Sequence, residues 1–235
     1  MKTLLITTLA SALSFSAFAD PKGDVKAASA KLADAACYTW TAKTEMANSQ
    51  NPPSTITGKA DKGGFAVITS ERDGTTTTAV RKGEKGVVKA DGEWKTAEDL
   101  RAAAGGGGGG GGGRGGMLLR TPLPADDLAK MVERAKELKA MDGCICGDLT
   151  DAGAKELLSF RGRPGGNAPE PKNAKGSIKY WLKEGTIAKM EVKVSGTVTM
   201  QNEDRDVSRT TTYEFKDIGS TKVEVPADAK AKIGS

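Results

Sequence analysis

The chain reads as an α+β domain, with helices set apart from a largely antiparallel sheet, and three observations predict it. Between positions 175 and 200 apolar and polar residues alternate along a strand, break at Glu184-Gly185, and alternate again. Short β-branched runs punctuated by glycine-containing turn dipeptides fill positions 56–94. Two stretches of helical periodicity, 123–141 and 149–160, stand between those runs and the long hairpin.

The first residues, MKTLLITTLASALSFSAFAD, place Lys2 before an apolar run and Ala17-Phe18-Ala19 before Asp20. That is the pattern of a cleavable secretory signal, so residues 1–19 are expected to be removed and 20–235 to form one domain in the periplasm or outside the cell. A buried or membrane-anchoring helix is the alternative, but the run is short for a span and contains Ser and Thr. A lipid anchor needs a cysteine directly after the cleavage site, and Asp20 stands there. No later apolar segment approaches membrane-spanning length. The formal charge is only +5. The lysines mostly alternate with apolar residues and form no cluster interleaved with aromatics, so they read as a solvated face rather than a nucleic-acid footprint.

In chain order, 24–36 suits a helix capped by Asp24, with Val25, Ala28, Leu32 and Ala35 on one face. A first strand follows, with Tyr38, Trp40, Ala42 and Met46 on one parity. After a loop at 50–53, short strands are expected at Ile56, 65–70, 75–81, Val87-Val88 and Trp94. The turns between them lie at Lys62-Gly63-Gly64, Asp73-Gly74, Lys82-Gly83 and Asp91-Gly92, giving a meander. A short helical patch at 97–104 leads into the glycine-rich stretch 105–116, expected to be a mobile loop because glycine costs most to order and covers no apolar surface. No Lys-Ser or Lys-Thr follows it, so it reads as an insertion at a tolerant loop and not as a phosphate cradle.

Residues 123–141 predict the clearest helix, with Leu128, Met131, Val132, Ala135 and Leu138 in a stripe, Pro124 near its start, Asp126 and Asp127 in its first turn, and Gly143 beyond its end. A second helix at 149–160 is capped by Thr150 and turns Ala154, Leu157 and Leu158 inward. A loop at 161–173 precedes the hairpin, whose apolar parity holds Ile178, Tyr180, Leu182, Ala188, Met190, Val192, Val194, Val198 and Met200. Strands at 207–215 and 221–225 and a short ADAKAKI tail complete the chain.

Three pieces of wording carry a family resemblance: 180–191 (YWLKEGTIAKME), 213–219 (YEFKDIG) with 223–226 (VEVP), and helices inserted in mid-sheet. Together they resemble the superfamily of periplasmic lipoprotein carriers and the related mycobacterial lipid-binding lipoproteins. The resemblance implies a strongly curved, incomplete β-barrel with helices packed on its concave face and acyl chains held between. If the sheet curves so, Tyr38, Trp40, Met46, Tyr180, Leu182, Met190, Val192 and Val194 face inward, beneath Leu128 and Met131 of the helix. Methionine and valine suit a conformable apolar cavity. The other outcome for the same residues is a filled core.

The chain has no histidine, which removes Ser-His-Asp and Cys-His catalysis and His-based metal sites. Asp126-Asp127 and Glu203-Asp204 read as a helix start and a loop rather than an acid/base pair. The stretch 202–206 (NEDRD) lacks the glycine and closing glutamate of a calcium loop. Cys37, Cys144 and Cys146 are the disulfide candidates. A bridge from Cys37 to either of the others would staple the N-terminal region to mid-chain, whereas Cys144 to Cys146 would close a small, strained, reducible ring. A redox Cys-x-Cys is the functional alternative to buried or structural thiols. The expected function is a non-enzymatic carrier or sensor of an apolar small molecule or lipid, with no cofactor. A lipoprotein or envelope protein is the further candidate partner, and a secreted scaffold with a packed core is the alternative.

Overall fold

A computed structural model describes residues 20–234 apart from 48, 51, 73, 104–112, 160–169 and 201–202. The expected signal at 1–19, nearly all of the glycine run and most of the loop expected at 161–173 lie outside the described residues. The order is α1 (Pro21–Ala33), β1 (Cys37–Met46), β2 (Ser54–Asp61), β3 (Phe65–Arg72), β4 (Thr75–Lys82), β5 (Lys85–Ala90), β6 (Glu93–Thr96), α2 (Ala97–Ala103), α3 (Gly113–Arg120), α4 (Pro124–Glu133), β7 (Lys139–Met141), β8 (Cys144–Asp148), α5 (Asp151–Leu158), β9 (Lys172–Lys183), β10 (Thr186–Met200), β11 (Glu203–Lys216) and α6 (Ala227–Gly234).

All eleven strands make one sheet in the order β6-β5-β4-β3-β2-β1-β11-β10-β9-β8-β7. Each adjacent pair is antiparallel. The sheet is curved and open, an incomplete barrel whose edges are β6 and β7. The meander and the β9–β10 hairpin are those the turn residues predict, and Glu184 (φ 53°) and Gly185 (φ 71°) supply the left-handed pair of a two-residue turn. A register shift at Ala188 turns Ile187, not Ala188, to the buried face, because Leu182 pairs with Ile187 while Tyr180 pairs with Met190.

The concave face is covered by α1, α3, α4 and α5, and its core runs from Val25 and Leu32 through Trp40, Ile68, Leu128, Ile145 and Tyr180 to Met190. Asp20, not Asp24, caps α1, accepting from the Gly23 N–H at 2.9 Å. Proline at the first helical position explains the earlier start. Lys22 and Lys26 tie α1 to Glu133 at the end of α4, and the Lys31 ammonium donates to the Glu184 carbonyl in the hairpin turn.

Four expectations change. The helix predicted over 123–141 ends at Glu133, and 139–141 instead pair with β8 across an Asp142-Gly143 turn; the stripe Leu128, Met131, Val132, Ala135 and Leu138 is nonetheless buried throughout. Gly143 (φ 75°) therefore serves a hairpin and not a helix end. Glycines 113–116 belong to α3, where the bare Gly115 lets the helix close on Val88 of β5. The strand expected at 221–225 has no ladder. Finally, the tail is a helix, and α6 packs on the outer face: Ala229 and Ile233 meet Val80 and Val87, flanked by Phe65, Val67, Trp94 and Val225. The reason lies in Ala79-Val80 and Val87-Val88, where both parities are apolar and both faces need cover.

Ile233→Ala should therefore lower stability by about 2 kcal/mol or more in urea unfolding, although the residue sits next to the end of the chain. Gly147→Ala should cost about 3 kcal/mol, because a Cβ there would overlap the Glu137 carbonyl oxygen.

Candidate functional site

Inner-face positions of β1, β2, β10 and β11 lie opposite the segment that closes α3 and opens α4, and between them is a cavity of about 240 Å³. Trp40 forms one wall. Its indole lies across Gly58 on β2, where any Cβ would overlap the ring, so the glycine sets the depth of the cavity. The ring is further held by Tyr38 at 5.7 Å between centroids, and Tyr38 by Phe215 at 6.2 Å. Ala42, Ile56, Met131, Met190 and Pro124 complete the apolar lining.

The polar lining gathers at the other end. Along the inward parity of β11 the residues run Phe215, Tyr213, Thr211, Arg209, so the face changes from aromatic to polar along a single strand. Thr44 and Thr211 hydroxyls share a 3.1 Å hydrogen bond. The Arg209 guanidinium donates to the Leu157 carbonyl in the last turn of α5, and burial holds its pKa below the usual arginine value. Asp127 enters from the first turn of α4, 3.6 Å from Arg134. Arg134 in turn forks onto Glu156 of α5 with bonds of 2.9 and 2.7 Å, which raise its pKa and clamp α4 to α5. Asp127 Oδ1 and the Tyr180 hydroxyl are both buried without a hydrogen-bond partner among the described residues. The lining holds one carboxylate, Asp127, and no thiol.

Of the residues expected inside, Trp40, Met131 and Met190 line the cavity. Tyr38, Leu128, Tyr180, Val192 and Val194 are buried in the core around it. Leu182 is half-buried near the hairpin turn. Met46 is 44% exposed at the last position of β1, on the inward parity but beyond the helical cover. Alternation tells which way a side chain faces and not whether anything lies over it. Asp127, Arg209, Thr211 and Tyr213 were missed, since 207–215 mixes polar and apolar residues on the inward parity. Reading parity back from Phe215 would have found the last three.

Cys37, Cys144 and Cys146 are all free thiols. Three strands, β11, β10 and β9, separate β1 from β8 at about 4.8 Å per step. That spacing puts a bridge from Cys37 out of reach.

No protein-family model matches the chain, and no curated protein matches it in sequence. Its structure is similar to that of LprF from Mycobacterium bovis, at 13% identity over 89% of this chain and 97% of that one, with a TM-score of 0.47. Lipoprotein LppX of Mycobacterium tuberculosis gives 9%, 88%, 98% and 0.45 in the same order. A LolA superfamily protein from Nitrosomonas europaea gives 8%, 87%, 95% and 0.33.

Burial raises the Tyr38 pKa from the usual 10.0 to about 12, against a hydrogen bond with the Ala125 backbone that lowers it. A raised folded-state value means the neutral phenol is favoured in the fold. Its contribution is complete below pH 10.0 and is lost as pH rises through about 12. Denaturant midpoints should fall across that window, and Tyr38→Phe should make the fall shallower.

Proposed function

We propose that the protein is a non-enzymatic carrier that holds an apolar ligand, an acyl chain or a lipid moiety, in the cavity beneath α4, and that it works outside the cytoplasm after loss of residues 1–19. The observation that carries this reading is the cavity itself, a space of about 240 Å³ between the sheet and the segment that joins α3 to α4. Its walls are Trp40, Ile56, Met131 and Met190, with no side chain of its own occupying it. Roughly 150 Å³ of apolar cavity is enough to admit benzene, so one short chain or the end of a longer one fits. The two methionines give walls that adapt to the shape of the guest. Thr44, Thr211 and Arg209 mark the polar end, where a head group would stay hydrated or hydrogen-bonded. No helix among the described residues is long and apolar enough to cross a membrane.

Two measurements test this. Affinity for a series of n-alkyl ligands, by calorimetry, should tighten about fourfold per added methylene until the cavity is full, and then level off. Ala42→Trp, which fills the space from the β1 side, should abolish uptake of a fluorescent fatty acid while the unfolding midpoint stays within a few degrees of wild type. A protein that shows no uptake, and carries no lipid by native mass spectrometry when taken from its own cell envelope, would overturn the carrier reading.

A further inference from the structure

The β7–β8 hairpin carries a group of side chains that the cavity does not use. Its turn is the tight pair Asp142 (φ 47°) and Gly143 (φ 75°), so Met141 and Cys144 stand directly opposite each other, and Lys139 stands opposite Cys146. Ile145 between the cysteines pairs with Tyr180 and is buried in the concave core. Alternation therefore sends Cys144 and Cys146 together to the outer face, and the cross-strand pair puts Met141 on that face beside them. The two thiols stand two residues apart on the same face of β8, flanking the inward Ile145. Met141 is 54% exposed, one of few large apolar side chains left in water.

We propose that Met141, Cys144 and Cys146 form a three-sulfur site for a monovalent thiophilic cation, Cu(I). Thiolates and a thioether are the donors that select Cu(I) over harder ions. Among the described residues no group of three histidine, cysteine, aspartate or glutamate side chains is placed to hold a metal, so a four-donor zinc site is not what this hairpin offers. Binding displaces one proton from each thiol to solvent and leaves the copper in a bis-thiolate, thioether set of net charge −1. Lys179, paired with Cys146 across β8 and β9, lies beside that charge and offsets it. The scaffold is well suited to holding the sulfurs: the turn fixes Met141 against Cys144, and Ile145 anchors the strand in the core. Copper neither joins nor leaves the apolar cavity, so this site is independent of the carrier reading.

The test is anaerobic titration of the reduced full chain with Cu(I) in competition with bicinchoninate. One equivalent should be withdrawn from the chelator, with only sulfur neighbours in X-ray absorption. C146S should weaken binding about 100-fold or more and M141L about tenfold. Both positions are less buried than Cys144, so these variants report on the site even if C144S fails to fold. Failure to compete with bicinchoninate would overturn the proposal, as would binding that survives in C146S, which would point to Cys37. So would a Cys144–Cys146 disulfide in protein alkylated as it leaves the cell, because oxidised sulfurs cannot take up the ion.

Discussion

The structure depends on one constraint: an eleven-stranded open sheet with an apolar concave face has to have that face covered along its whole width. A closed barrel would cover itself, but an open one needs helices. The chain supplies them from three separate places in sequence: α1 before the sheet starts, α3 and α4 between its halves, and α5 inside the second half. They share one apolar core with the sheet, and polar contacts add links between them: Lys22 and Lys26 of α1 meet Glu133 of α4, and Arg134 after α4 forks onto Glu156 of α5. What the helices fail to fill becomes the cavity.

Most of the sheet was legible because alternation and turn chemistry are local signals. Asp91-Gly92 and Glu184-Gly185 each announce a turn whatever the rest of the chain does. The misreadings come where two signals compete. Residues 134–141 continue a helical stripe of apolar spacing, yet the Asp142-Gly143 pair and the β-ladder to β8 win, because β8 already pairs with β9 and offers 139–141 an edge. The stripe survives as buried Ala135 and Leu138 in a different backbone. The C-terminal helix was missed for lack of a strong amphipathic pattern, although the doubled apolar pairs in β4 and β5 already required something on the outer face.

The candidate site was legible in part. Trp40 and Met190 follow from strand parity, and Met131 from the helical stripe. That Trp40 bounds an empty space follows from Gly58 on the neighbouring strand, a relation fixed by register and invisible to composition. Asp127 looked like an ordinary first-turn acid, and Arg209 like one charge in a polar run. Each acquires its place only when α4 is laid across the sheet. The same face thus holds both outcomes the sequence left open: a filled core around Tyr180, Val192 and Val194, and a gap beside it.

The two ends of the sheet carry a consequence for how the protein behaves in company. Unpaired backbone at a sheet edge invites a strand from another molecule. Here the final strands are only four residues (β6) and three residues (β7) long, against fifteen for β10 deep in the sheet. β6 runs directly into α2, and β7 places Lys139 on its rim. A strand added at either end of the sheet can therefore make only a few hydrogen bonds.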